Sequence, residues 1–148
     1  KNIKHTAWAS EETHCYQASL YVDGKPVAIV SNDGHGGCDR DYDHPKFKGD
    51  YRAQMRSVEA YFKSLPNTPS EWNEDGMEQT LEFWCCDQVN DWLSARELKK
   101  KLKAGFLFQF ADKVGVFAHK DRPSRAHKAT ILNDMPFADA LAIWKETA

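Results

Sequence analysis

From residue 14 the chain alternates between two sets of side chains. Cys15, Gln17, Ser19 and Tyr21 fall on one side, and Tyr16, Ala18, Leu20 and Val22 on the other. This period of two is that of an extended strand. Asp23-Gly24 follows, a pair suited to a tight turn whose central residues both need positive φ. Pro26-Val27-Ala28-Ile29-Val30 then returns as a second apolar run. The pattern predicts an antiparallel hairpin with strands over 15–22 and 26–31.

The spacing changes to three and four residues beyond Asp50, where Tyr51, Met55, Val58, Tyr61, Phe62 and Leu65 mark an amphipathic helix. Asp50 is its expected N-cap and Pro66 its stop. Residues 66–70 read as a linker. A second helix is expected from Met77, with Leu81, Trp84, Cys85, Gln88, Val89, Trp92 and Leu93 on one face, and Ser94-Ala95-Arg96-Glu97 is a capping box that would restart the helix after a bend. Residues 106–110 and 114–118 then suggest a second hairpin, 129–132 a short strand, and Pro136 the start of a last helix burying Phe137, Ala140, Leu141 and Trp144. The order predicts one α+β domain over residues 1–148, a largely antiparallel sheet built from two hairpins with three or four helices packed on one face.

A length of 148 residues with 41% hydrophobic and 12% aromatic content suits one packed core. The 20 basic and 22 acidic residues nearly balance, so bulk charge points to neither nucleic acid nor an anionic membrane. Their distribution is uneven. Residues 71–91 carry seven acids and no lysine or arginine, whereas residues 96–128 carry ten basic residues against three acids. No apolar run is long enough to cross a bilayer, and the N-terminus has no apolar signal-peptide core, so a soluble, cytoplasmic protein with no membrane partner is expected. In that compartment the four cysteines are expected as thiols.

The segment with most chemical content is Ser31-Asn32-Asp33-Gly34-His35-Gly36-Gly37-Cys38, followed by Asp39-Arg40-Asp41-Tyr42-Asp43-His44. Asn32, Asp33, His35 and Cys38 are its candidate binding residues. His35 and Cys38 have a zinc-compatible spacing, with His14, Cys15 and His44 as further donors, but the second paired module of a strong zinc signature is missing. A Cys38 thiolate with a histidine base would be the alternative, in a small metal- or thiol-dependent enzyme or a nucleotide-binding protein. Asp39, Asp41 and Asp43 resemble the start of a calcium loop, but His44 occupies the position where that loop needs glycine. Clustered glycine is more simply explained as a backbone of special shape.

Two further candidates lie outside this loop. Trp72 sits among acids, fits no buried stripe and would anchor a basic partner. Lys99, Lys100, Arg122 and Arg125, in the basic stretch, could meet phosphates, which makes nucleic acid the second candidate partner.

The segments 31–37 and Ile131-Leu132-Asn133-Asp134-Met135-Pro136-Phe137, with Ala140-Leu141, resemble parts of short uncharacterised proteins of phages and mobile elements. The resemblance implies a bacterial intracellular setting and carries no known catalytic residues to transfer. It favours a binding or inhibitor-type protein acting on a host protein or nucleic-protein complex.

Overall fold

The computed structural model describes residues 1–111, 113–122, 124 and 129–147. The chain divides into two compact units, Lys1–Val89 and Asn90–Ala148.

The first unit is organised on a four-stranded antiparallel sheet of order β1-β2-β3-β4, with β1 at Lys4–His5, β2 at Tyr16–Val22, β3 at Lys25–Asn32 and β4 at Arg40–Asp43. The β2–β3 hairpin turns at Asp23 (φ 47°) and Gly24 (φ 76°), as the sequence predicts. The register shifts between Leu20 and Tyr21, where Tyr21 faces Pro26. Proline has no N–H to give a ladder, so irregularity there is expected. β3 lies between two partners and buries Val27, Ala28 and Val30. Helix α1 (Tyr51–Lys63) buries Met55, Val58 and Phe62, and Asp50 caps it by accepting from the Ala53 N–H at 3.0 Å. Residues 66–70 are not a simple linker. β5 (Thr68–Ser70) pairs with β6 (Asn73–Met77) as a separate two-stranded ribbon.

Helix α2 runs unbroken over Leu81–Ala104, and the division between the units falls within it. Met77 belongs to β6. The helix starts four residues later, where the Thr80 hydroxyl accepts from the Phe83 N–H at 3.1 Å. The capping box at Ser94 is therefore overruled. Val89 and Leu98 are almost fully buried on either side of it, and this packing outweighs the local signal.

The second unit carries a three-stranded antiparallel sheet of order β8-β7-β9, with β7 at Phe106–Phe110, β8 at Phe117–His119 and β9 at Ala129–Ile131. The outer strand starts later than the sequence suggests, because Val114 is 94% exposed and does not pair. The expected turn residue Asp112 lies outside the described residues. Leu107 from β7, Leu98 from α2, Leu132, and Ala140 and Trp144 from helix α3 (Phe137–Thr147) form the core. Asn133 ties these elements together. Its Oδ1 accepts from the Leu107 N–H at 2.8 Å, and its Nδ2 donates to the Leu102 and Gly105 carbonyls at 3.2 and 3.0 Å.

The architecture is thus α+β with three helices, but its strands form three separate sheets among the described residues rather than one sheet of two hairpins. No helix among the described residues is long and apolar enough to cross a membrane.

Gly24 has open space around its Cβ position, so the cost of Gly24→Val is purely that of a β-branched residue at positive φ. A loss of about 1–2 kcal/mol is expected in urea unfolding, and unchanged stability would contradict the turn geometry.

Candidate functional site

The glycine-rich segment is the connection between β3 and β4, and one side chain holds it. Asn32 ends β3 and is 8% exposed. Its Oδ1 accepts from the Thr13 hydroxyl at 2.7 Å and the Gly34 N–H at 2.9 Å, while its Nδ2 donates to the Gly37 carbonyl at 2.8 Å and to Asp39 Oδ1 at 3.0 Å. Every hydrogen-bonding position of the amide is then used inside the protein.

The loop also docks through its backbone. The consecutive N–H groups of Glu11, Glu12 and Thr13 all donate to the Gly34 carbonyl, at 3.0, 3.0 and 3.3 Å. Gly34 has φ +92°, and a Cβ there would overlap the Ala9 carbonyl oxygen. Only glycine meets both demands.

Asp39, at the other end of the loop, accepts from the buried Tyr16 hydroxyl, and its own N–H donates to Glu82 Oε1 at 3.1 Å. Burial first, and then the bond to Asp39, raises the Tyr16 phenol above its usual range. Burial likewise pushes the nearby Cys85 thiol up to about 12, with the Asp39 charge adding to it and the Tyr16 hydrogen bond opposing it. Tyr51 donates to Asp41 and is also raised, chiefly by burial. A thiol held neutral in this way is not a nucleophile.

The other loop candidates are exposed and engaged elsewhere. Asp33 pairs with Arg40 at 3.0 Å and accepts from the His35 N–H at 3.4 Å. His35 Nδ1 meets Glu11 Oε2 at 3.3 Å, so its partner is a carboxylate and not Cys38, which is exposed. Among the described residues no three His, Cys, Asp or Glu side chains are arranged to hold a metal ion, and the zinc reading of His35 and Cys38 lacks a ligand set. All four cysteines are thiols.

Trp72 stands apart from this network. With Glu71 it forms the turn between β5 and β6, and it is 95% exposed. The hairpin beneath it is locally fixed. Asn67 donates to the Asp75 carbonyl and Asn73 to the Gly76 carbonyl, both at 2.7 Å, and the Trp72 N–H donates to the Ser70 hydroxyl at 3.2 Å. Glu71, Glu74 and Asp75 are exposed within three residues of it in the chain and Glu78 just beyond β6, and none of them pairs with a lysine or arginine among the described residues. No family model, curated protein or solved structure matches the chain.

The charge division seen along the sequence follows the division into units. Residues 1–89 hold nine basic and fifteen acidic residues, a formal −6, whereas residues 90–148 hold eleven and seven, a formal +4. Lys99 and Lys100 are exposed on α2, with the Lys99 ammonium 5.0 Å from the Phe137 ring centroid. Arg122 forms an ion pair with Asp134, and Arg125 lies outside the described residues. Sequence reasoning did not single out Trp8. It sits in a single 3-10 turn, Ala7–Ala9, and is 88% exposed. No periodic stripe surrounds it, and that is the signal that could have marked it.

Replacing Asn32 by alanine strands the Gly34 N–H and the Thr13 hydroxyl and is expected to cost about 2–4 kcal/mol in urea unfolding. A cost below about 0.5 kcal/mol, the range of surface substitutions, would contradict the clasp. Tyr16, Tyr51 and Cys85 are all raised on folding, so their contribution is complete below the unfolded values of roughly 8.5 to 10 and is lost as pH rises above them. Unfolding midpoints should therefore fall from about pH 9 upward, and Cys85→Ala should flatten the first part of that fall. A profile level to pH 11 would contradict these burials.

Proposed function

We propose that the chain is a small binding protein of inhibitor type that engages a basic host protein, alone or within a nucleic-protein complex, in a bacterial cytoplasm. The reading rests on Trp72. A tryptophan exposes a large apolar surface to water at this position, and its two neighbouring strands are fixed by their own hydrogen bonds. Fixing the hairpin in advance lowers the entropy lost on binding. The acids of this segment pair with no lysine or arginine among the described residues, and they complement a basic surface while steering its approach.

The glycine-rich loop enters this function as a support. Asn32 and the Gly34 carbonyl are used in joining β3, β4 and residues 11–13, and among the described residues no three His, Cys, Asp or Glu side chains are arranged to hold a metal ion.

Affinity capture from bacterial lysate, followed by purification of the captured basic protein and titration, tests the proposal. Trp72→Ala should weaken that complex by about thirtyfold or more, as expected for an interfacial hot spot. It should leave unfolding stability within about 0.5 kcal/mol, as expected for a surface side chain. Charge reversal at Glu74 and Asp75 should slow association and reduce its salt dependence. Equal affinity of wild type and Trp72→Ala would overturn the assignment.

A further inference from the structure

The three-stranded sheet of the second unit has two unlike faces. Side chains alternate along β7, so Leu107 points into the core while Phe106, Phe108 and Phe110 share the opposite face. Phe117 of β8 is paired directly with Phe108 and joins them. Ring centroids lie 5.3 Å apart for Phe108–Phe110, 5.8 Å for Phe110–Phe117 and 6.1 Å for Phe108–Phe117, the last pair nearly parallel at 27°. None of these four rings belongs to the core cluster of this unit, and Phe117 is 40% exposed.

Cations border this aromatic face. The Lys113 ammonium lies 5.5 Å from the Phe110 centroid and 5.8 Å from that of Phe117, and the Phe106, Phe108 and Phe110 rings are half-buried beside the exposed Phe117. The Arg122 guanidinium lies 5.9 Å from the Phe106 centroid. Lys120 is exposed just beyond β8. Among the described residues, Asp134 is paired with Arg122, and Asp121 lies 3.9 Å from His119 Nδ1.

We infer that this phenylalanine face is a binding site for single-stranded nucleic acid. Bases stack on aromatic rings whatever their sequence, and lysine or arginine at the border meets the phosphates between them. A duplex keeps its bases stacked on one another and presents only phosphates to such a face, so it lacks the larger part of the interaction. The positive charge of this unit supplies the long-range attraction. This site lies wholly within the second unit and does not use Trp72.

The test is fluorescence anisotropy of a labelled dodecathymidylate titrated with the full chain at low salt, beside a duplex of the same length. Purified chain and oligonucleotide are the only components, so the outcome is separate from that of host-protein capture. Saturable binding is expected, at least about tenfold tighter for the single strand and weakening steeply with salt. Phe117→Ala should weaken it roughly tenfold or more, and Phe117→Tyr, which keeps a stacking ring, should retain it. Lys113→Glu, at an exposed turn where folding is not at stake, should weaken binding and lower the salt slope by about one. Absence of saturable binding, equal affinity for the duplex, or unchanged affinity in both Phe117→Ala and Lys113→Glu would overturn the inference.

Discussion

A primary amide offers two donors and two acceptor positions, and Asn32 uses all four within the first unit. It lies where the central strand β3 leaves the sheet, so its bonds decide how the following loop returns to β4 and how residues 6–13 are laid over it. Such a group is strongly stabilising only while every partner is in place, because a buried donor or acceptor left alone is costly. Asn133 plays the same part in the second unit by joining the end of α2 to the start of β7. Both units therefore depend on an asparagine that ties together segments distant in sequence, in addition to their apolar cores.

Elements with strong local periodicity were legible in the sequence. The Asp23-Gly24 hairpin, α1 with its Asp50 cap and the last helix occur where the patterns place them, to within a few residues at their ends. β4 was not legible, since Arg40-Asp41-Tyr42-Asp43 has no buried side chain and is extended only because Ala28–Ser31 offers it a ladder. The β5–β6 ribbon was hidden for the same reason, its strands being polar and ordered by asparagine side chains. At Ser94 a local helix-start signal was overridden by burial on both sides. The exposure of Trp72 was legible because acids surround it, and that of Trp8 was not. The phenylalanines of β7 alternate visibly in the sequence, but which face of the strand is covered depends on α2 and α3.

The two units divide the chemistry as they divide the charge. The acidic unit carries a fixed hairpin with an uncovered tryptophan, and the basic unit carries an aromatic sheet face bordered by lysine and arginine. In the glycine-rich loop Asn32 is turned inward, Asp33 and His35 pair with neighbouring charged residues, and Cys38 is exposed.

The loop is held in place by the bonds of Asn32 and of the Gly34 carbonyl. Native-state hydrogen exchange at the Glu11, Glu12, Thr13 and Gly34 amides tests this most directly, because each of these N–H groups donates to Gly34 or to Asn32. The account predicts protection comparable to that of the β2–β3 ladder, lost at all four amides together in Asn32→Ala. Exchange of these four amides in the wild-type chain at the rate of an unstructured loop would contradict it.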